Sequence, residues 1–474
     1  MSLLQAEKTE VAANKVATNA GSKKGKKAKK AFDMSKYHQR VIAIKYFYDG
    51  SRYGGLAFQE NSDCSIEEEL FKALRRTCLA VESPPPLYSR CGRTDKGVSA
   101  CGQVSVFQTR SCLKPEQFDQ LHLEIDYAAT LNRVLPPDIR VLAWCPVRPD
   151  FSARFDCFSR TYRYFFFARD LDVRRMAVAL SKLVGSHDFR NFCKVDPVNV
   201  SNFRRQILQF GIHRAESWSA GRASAAADAS SSQNGLPFIC TSEVEDGRPR
   251  PPVPKRYTAA SDAGKAEEQC CEAGDLLYFE ICGRGFLWHQ VRCMVAILFL
   301  VGRGLESPSL VDWMLDVSKC QAVPAFAMAS DRPLLFYSAA FNNPREIDFS
   351  VYRAKRSKGR PNEELERHFQ QVANEHRMKC AVASCALETL GVPQNAFVED
   401  NSYSGMGECA SCQSKQKQRR YVSLQKRPPR KTLETRVQNL TGKKRRRYDA
   451  RIEANKQRLA EEAATAAAAK PDPK

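Results

Sequence analysis

The sequence predicts an α+β fold in two similar halves, flanked by basic tails. Of its 474 residues, 43% are hydrophobic and 27% are charged, which supplies enough apolar material for a large buried core. Between residues 37 and 345, strand patterns and amphipathic helix patterns alternate in two similar stretches. Most of the net charge of +21 lies outside this region, because residues 1–36 carry a net +6 and residues 346–474 a net +11. Such tails attract phosphate backbones or acidic protein surfaces, or serve only to keep a protein in solution.

The first half begins with an apolar strand pattern. Residues 41–48 predict a buried strand that ends at Asp49-Gly50, and residues 65–79 predict an amphipathic helix with acids in its first turn. Three prolines at 84–86 then break the chain before a polar loop. After the loop, the patterns predict a strand at 103–107, a helix at 118–131 and a strand at 139–144.

The second half repeats the alternation. Its predicted elements are a strand at 160–167, a helix at 174–184, strands at 203–212 and 274–282, and an apolar helix at 287–301. Residues 216–269 interrupt the series with a stretch rich in Ala, Ser, Gly and Pro. Since that composition cannot support a core, we interpret it as a surface insertion.

These patterns divide the chain into four parts. They are a disordered basic arm at 1–36, an N-terminal α+β domain at 37–145, a C-terminal α+β domain at 146–345 with the insertion, and a basic tail at 346–474 that is partly helical or disordered. Lysine-rich runs at 22–30 and 443–447 favour a nuclear pool over a cytoplasmic one. Glu7 and Glu10 make a mitochondrial leader the less favoured reading of the N-terminus.

Membrane, secreted and disulfide-rich classes are not expected. The longest apolar stretch, residues 295–301, is far shorter than the roughly 20 residues of a membrane helix. No apolar segment follows the first basic residues, and the 18 cysteines are therefore expected to be reduced thiols. Four tail cysteines, Cys380, Cys385, Cys409 and Cys412, could form a structural zinc site, but the loose spacing of the first pair argues against it.

The loop CGRTDKG at residues 91–97 is the densest chemical signal. It places Asp95 between the cations Arg93 and Lys96, with glycines on both sides that permit tight turns. Flanking cations favour the ionised carboxylate that a nucleophile or a base requires. The same pattern is also typical of a surface turn with a local ion pair.

Two further clusters contain arginine beside aromatic residues. Residues 151–155 and 160–165 alternate the two types, so that bases could stack on one face while guanidinium groups meet phosphates, or the strand could be an ordinary amphipathic one. In the third cluster, residues 283–292, Arg292 opens an apolar helix and needs an anionic partner. Asp95 would supply it if the halves face each other across a cleft. For His289, a structural or RNA-contacting role is favoured over a catalytic one.

The sequence GRTDKGVSA at residues 92–100 resembles the signature loop of the TruA family of tRNA pseudouridine synthases. Supporting blocks follow in the family's order: YDG at 48–50, FSARF at 151–155, YRY at 162–164 and FLWHQVR at 286–292. The resemblance covers about residues 37–343. Shorter similarities at 59–71, 90–92 and 191–196 indicate the eukaryotic branch that acts at positions 38 and 39 of tRNA. Departures at residues 56–58 and the long insertion bear on RNA specificity and leave the chemistry untouched.

The resemblance implies a pseudouridine-synthase fold with two ferredoxin-like halves and the active site in a basic central cleft. It implies that Asp95 is catalytic and that Tyr162 stacks on the target base. Arg93 and Arg292 would keep Asp95 ionised and oriented beside the substrate, with Arg292 as the direct partner. The reaction needs no cofactor and no metal. The expected partners are the anticodon arm of tRNA and a second copy of the chain.

The sequence therefore predicts a cofactor-free isomerase that converts uridine to pseudouridine at positions 38/39 of tRNA. One alternative is the same reaction at another tRNA position or in another small RNA. The other alternative is a non-catalytic RNA-binding or chaperone protein. Neither membrane association nor a nucleotide cofactor is expected, since the sequence has no glycine-rich phosphate loop or dinucleotide fingerprint.

Overall fold

The computed structural model describes residues 32–59, 64–168, 171–215, 238–240, 276–349, 363–390 and 421–468. The strands in this part are β1 (Gln39–Tyr48), β2 (Ser89–Arg90), β3 (Ser99–Arg110), β4 (Ile139–Pro146), β5 (Cys157–Phe167), β6 (Gly185–Asp188), β7 (Arg204–Arg214), β8 (Phe238–Cys240), β9 (Leu276–Gly283) and β10 (Leu334–Phe341). The helices are α1 (Ile66–Arg76), α2 (Tyr127–Asn132), α3 (Val173–Ser181), α4 (Gln290–Gly302), α5 (Ser309–Leu315), α6 (Glu363–Thr389), α7 (Leu433–Gln438) and α8 (Gly442–Ala468). Together they confirm the predicted α+β class.

One continuous sheet joins the strands of the two halves. Its order is β4-β1-β3-β10-β5-β9-β7-β6, with β2 beside β3 and β8 beside β7. The junction is a short parallel pairing, in which Leu335 and Phe336 of β10 face Ser99 and Ala100 of β3. All other strand pairs are antiparallel. The pairing brings β3, which directly follows the loop at 91–97, next to the strands of the second half.

The two predicted long helices form for different physical reasons. In α1, the Ser65 side chain caps the backbone N–H of Glu68, and three glutamates in the first turn oppose the positive end of the helix dipole. In α4, every residue except Arg292 is buried, which explains its nearly uninterrupted apolar sequence. Phe299 of α4 packs against Tyr164, Phe166 and Phe279 on the sheet. The core of the second half therefore lies between α4 and strands β5 and β9.

The predicted helix at 118–131 is wrong over most of its length. Only Tyr127–Asn132 is α-helical, and two short 3-10 turns precede it. The carboxylate of Glu124 accepts hydrogen bonds from the backbone N–H groups of Cys112 (3.1 Å) and Ile125 (2.9 Å) and from Arg40 Nη1 (3.2 Å). These contacts hold the backbone in a non-helical path until Asp126 caps α2.

Part of the predicted insertion belongs to the sheet. Residues 238–240 form β8, whose Cys240 and Ile239 pair with Phe210 and Gly211 of β7. The rest of residues 216–269 lies outside the described residues, as do residues 1–31 of the predicted basic arm.

Where it is described, the tail at 346–474 contains the three helices α6, α7 and α8. Cys380 and Cys385 are exposed on α6, whereas Cys409 and Cys412 lie outside the described residues. In the described ranges, no group of three or more potential metal ligands is found. The helices described there are also too short or too polar to span a bilayer.

Candidate active site

The loop at 91–97 is held by hydrogen bonds from its own half of the molecule. The hydroxyl groups of Tyr48 and Thr94 lie 2.7 Å apart, and the backbone N–H of Leu56 donates to the Thr94 carbonyl (3.2 Å). Gln103 Nε2 donates to the Gly92 carbonyl (2.9 Å). Both Thr94 and Gln103 are buried, so these hydrogen bonds hold the loop just before Asp95, while the Asp95 side chain stays partly accessible.

Glycine is required at two close approaches to this loop. Gly97 has a φ of +78°, and a Cβ at this position would lie 3.1 Å from the carboxylate carbon of Asp331. Gly55 has a φ of +123°, and a Cβ there would lie 2.9 Å from the Thr94 carbonyl oxygen. Any other residue would be strained at either position.

Asp95 faces the start of α4 in the other half. The indole Nε1 of Trp288 donates to Asp95 Oδ1 (3.1 Å), and His289 Nε2 lies 3.5 Å from Asp95 Oδ2. The Asp95 side chain is 33% exposed, so a carboxylate with two neighbours from the opposite half still faces solvent. The two halves therefore meet at the residue that the loop motif singled out.

The environment of His289 keeps its imidazole neutral. Burial lowers the pKa of His289, and the cations Arg292 and Lys194 act in the same direction, whereas Asp95 and Asp331 oppose them. His289 adopts a left-handed conformation (φ +62°) at the N-terminal boundary of α4. At neutral pH it therefore adds no full positive charge beside Asp95.

Lys194 lines the other side of Trp288. Its ammonium lies 4.3 Å from the centre of the indole ring, and its backbone N–H donates to the Trp288 carbonyl (3.0 Å). Trp288 is 46% exposed in spite of these contacts. An exposed aromatic ring, a lysine and a carboxylate thus lie together at the cleft.

The two predicted arginine partners of Asp95 are placed differently from expectation. Arg292 Nε donates to the Ala329 carbonyl (2.8 Å), and in the described part of the chain Arg292 makes no ion pair with Asp95. Arg292 still acts at longer range, because it is among the charges that shift the pKa of His289. Arg93 is exposed and, among the described residues, forms no ion pair. The interpretation of Arg292 as the direct partner of Asp95 is thus wrong, because the Arg292 guanidinium donates to the Ala329 carbonyl and Trp288 donates to Asp95 instead.

Tyr162 lies in β5 beneath the cleft and is 9% exposed. Its ring meets those of Phe286 and Phe336 edge-on, with ring centres 5.2 Å apart in both cases. Burial raises the pKa of the Tyr162 hydroxyl well above its usual range, and Asp95 is among the nearby charges. The structure brings Tyr162 close to Asp95 as a neutral, tightly packed ring.

The arginines of β5 are structural. Arg160 donates to the carbonyl groups of Cys91 (3.0 Å), Arg154 (2.8 Å) and Arg284 (2.6 Å), and so ties the loop at 91–97 to two segments of the second half. Arg163 Nε donates to Glu280 Oε2 (2.7 Å), and its guanidinium lies over the Tyr337 ring. Arg160 and Arg163 thus make the structural contacts that the interpretation as an amphipathic strand predicts.

Comparisons with known proteins agree with this geometry. The family profile of tRNA pseudouridine synthases matches residues 179–342. The human tRNA pseudouridine(38/39) synthase is 36% identical over 92% of this chain, and the match covers 84% of the human protein. The chain belongs to the TruA family of tRNA pseudouridine synthases. This confirms the resemblance found in the loop motif, and enzymes of this name are isomerases.

Two further members of the family match less of their own length. The mouse tRNA pseudouridine(38/39) synthase is 43% identical, with 68% of this chain covering 60% of that protein. The protein of that name from Saccharomyces cerevisiae is 37% identical, with 67% of this chain covering 61% of that protein. The family assignment includes the fold, so the α+β architecture predicted from the resemblance is confirmed.

Sequence reasoning missed three residues around Asp95. Trp288 and Lys194 were noted only as parts of similar blocks, and Asp331 was not noted at all. Trp288 stands 193 positions from Asp95 in the sequence, so no local spacing could have joined them. A tryptophan just before a helix that must bury its other residues was the available signal.

Proposed function

We propose that this protein isomerises uridine to pseudouridine at positions 38/39 in the anticodon arm of tRNA. The observation that carries the proposal is Asp95, partly exposed where the halves meet and hydrogen-bonded to Trp288. The names of the human, mouse and yeast relatives support the two positions. An anticodon arm is a folded hairpin, so the target base would leave its stack at a cost of about a few kcal/mol.

In this reaction the C1′–N1 glycosidic bond breaks, the uracil turns, and C5 bonds to C1′. The proton on C5 is then released and N1 gains one, so no oxidant or group donor is consumed. An ionised Asp95 can attack the nucleoside or abstract a proton from the sugar, and both routes use the same carboxylate. The Trp288 N–H donates to one oxygen of this carboxylate and so fixes its orientation.

Tyr162 and Trp288 support the proposal because both rings lie near Asp95, where a flipped uracil would bind. Tyr162 forms part of the apolar floor near Asp95, against which a uracil could turn without water. Trp288 is the more exposed ring, and stacking on an aromatic side chain stabilises an unpaired base by about 1–3 kcal/mol. We propose that the base contacts both rings, with Arg93 and Arg292 at the substrate's phosphates rather than at Asp95.

The test maps pseudouridine at single-nucleotide resolution. Unmodified tRNA transcripts with uridine at 38, at 39, at both or at neither position are incubated with the full chain and no added cofactor. We expect pseudouridine only in the transcripts with uridine at 38, at 39 or at both, and only at those positions. Signal at another position would retain the isomerase and contradict the anticodon-arm assignment, and binding without signal on any tRNA would favour the RNA-binding alternative. We further propose that the protein assembles as a homodimer and has a nuclear pool.

A further inference from the structure

The segment at 421–458, here called the C-terminal arm, is anchored on the second half of the body. Glu306, which is 7% exposed, accepts hydrogen bonds from the Tyr421 hydroxyl (2.7 Å), the Ser423 hydroxyl (3.2 Å) and the Leu424 backbone N–H (2.7 Å). The Leu424 side chain is 1% exposed and belongs to the core. A buried carboxylate with three donors fixes the start of the arm.

The next part of the arm follows the loop between α5 and β10. Arg427 Nη1 donates to the Ala325 carbonyl (2.9 Å), and Arg430 donates to the carbonyl groups of Val323 (3.1 Å, backbone N–H) and Phe326 (3.2 Å, Nη2). The same loop continues to Ala329, which holds Arg292, and to Asp331 beside Gly97. The arm is therefore attached to a loop that borders the candidate active site.

A third attachment lies on the other side of that site. Arg451 of α8 donates from Nη2 to the Pro197 carbonyl (2.9 Å), in the loop whose Lys194 packs on Trp288. The basic run at 443–447 begins eight residues before Arg451 and ends four before it, which is about 6–12 Å along a helix at 1.5 Å per residue. The run thus lies within about two turns of a contact with the rim of the cleft.

Basic residues far outnumber acidic residues in the arm. Residues 421–458 contain thirteen Lys and Arg but only three Asp and Glu. Arg445 pairs with Asp449, but Lys443, Lys444, Arg446 and Arg447 are exposed and make no ion pair among the described residues. The first turn of α8 holds no acid, so like charges stand three and four residues apart at the positive end of the helix dipole. A bound polyanion would relieve this repulsion.

We propose that the C-terminal arm is a second tRNA-binding surface, which holds phosphates of the same tRNA whose uridine lies at Asp95. The inference rests on the proposed function, because the partner is identified by the substrate of the adjacent site. An RNA backbone fits better than an acidic protein, since the four free cations are exposed, spaced along one run and fixed beside a cleft that must admit RNA.

The test compares the full-length chain with a variant that carries Lys443→Ala, Lys444→Ala, Arg446→Ala and Arg447→Ala. We expect Kd for tRNA to rise about tenfold or more at moderate salt, with kcat at saturating tRNA unchanged. The slope of log Kd against log salt should fall by roughly 0.9 for each lost phosphate contact, hence by about 3–4. None of the four residues touches Asp95, so turnover of bound tRNA needs none of them.

The matched control removes the same charge from the first half and from α6, with Arg75→Ala, Arg76→Ala, Arg377→Ala and Lys379→Ala. These cations are exposed and lie on α1 and α6, away from the attachments of the arm. An arm variant that binds tRNA as tightly as the wild type, or a control that weakens binding equally, would overturn the inference. A wild-type chain without pseudouridine formation would instead overturn the proposed function, so the two failures are distinguishable.

Discussion

Asp95 lies against Trp288 and a neutral His289 rather than against Arg93 and Arg292, the two arginines that the sequence analysis placed beside it. Its carboxylate receives the Trp288 N–H and lies beside a neutral His289, while Arg292 is turned to the Ala329 carbonyl. The Asp95 carboxylate is thus held in a partly exposed state by one hydrogen-bond donor, and among the described residues it forms no ion pair with an arginine. That state suits either a nucleophile or a base.

Trp288→Phe isolates the contribution of this donor. The variant keeps an aromatic ring for Lys194 and for a base, but it removes the hydrogen bond to Asp95. A net hydrogen bond is worth about 0.5–1.5 kcal/mol, so we expect kcat to fall about two- to tenfold with Kd for tRNA little changed. Single-turnover kinetics beside a binding assay measure both quantities. Unchanged kcat would show that turnover does not need this hydrogen bond.

Tyr162 can be tested in two steps. Tyr162→Phe retains the packing against Phe286 and Phe336. The free energy of unfolding, measured by thermal unfolding, should therefore fall by less than about 1.5 kcal/mol, and most activity should remain. Tyr162→Ala opens a cavity that should cost about 3–5 kcal/mol of stability and most of the activity. Loss of activity in Tyr162→Phe with normal thermal unfolding would contradict a role in packing and stacking, and would assign one to the hydroxyl.

At the scale of residues, the sequence predicted which residues lie at the candidate site better than it predicted which of them contact one another. The loop at 91–97 identified Asp95 through one local motif, and Tyr162 does lie near it. The contact with Trp288 joins positions 193 apart, and only the packing of the halves determines it. The expected Arg292 partner was a sound charge argument, but a backbone carbonyl satisfied that guanidinium instead.

At the scale of elements, the loop at 91–97 depends on a backbone conformation that only glycine adopts easily. Gly97 combines a positive φ with an immediate neighbour, the Asp331 carboxylate, which lies on the loop that also holds Arg292. The loops of the two halves are thus in contact two residues from Asp95. A side chain at this point would push them apart.

Gly97→Ala should therefore impair catalysis more than folding. The left-handed conformation costs about 1–2 kcal/mol for a residue with a Cβ, and displacement of the loop by about 1 Å would lower kcat/KM on the order of a hundredfold. Gly285→Ala is the matched control for stability, because a Cβ at that position meets nothing within 4 Å. Thermal unfolding and tRNA turnover give the two readings. Wild-type turnover in Gly97→Ala would contradict the need for this close approach.

The periodic elements were predictable, whereas those set by tertiary contacts were not. The apolar pattern of α4 and the alternation along β5 gave their positions to within three residues. The helix predicted over 118–131 lost its first nine residues to the hydrogen bonds of Glu124, which no periodicity encodes. Strand β10 was also missed, although it supplies the junction of the whole sheet.

Across the whole molecule, a single sheet places Asp95 of one half against the start of α4 in the other half, with Lys194 and Arg292 nearby. The parallel contact of β3 with β10 and the bridge from Arg160 to the Cys91 and Arg284 carbonyls hold the halves in register. The net charge of +21 then draws an RNA polyanion to the protein without specifying its sequence. In the function proposed above, binding would be distributed over the surface, whereas the chemistry would depend on the Asp95 carboxylate.

The most direct measurement of this account compares Asp95→Asn with the wild type on one unmodified tRNA, by pseudouridine mapping and by equilibrium binding on the same samples. Asn keeps the shape of Asp95 and an oxygen acceptor for Trp288, but it has no ionised carboxylate. We predict that turnover falls at least about 10³-fold while Kd for tRNA changes by less than about threefold. Pseudouridine formation at a rate near that of the wild type would contradict the assignment of Asp95, as would an equal loss of binding and turnover.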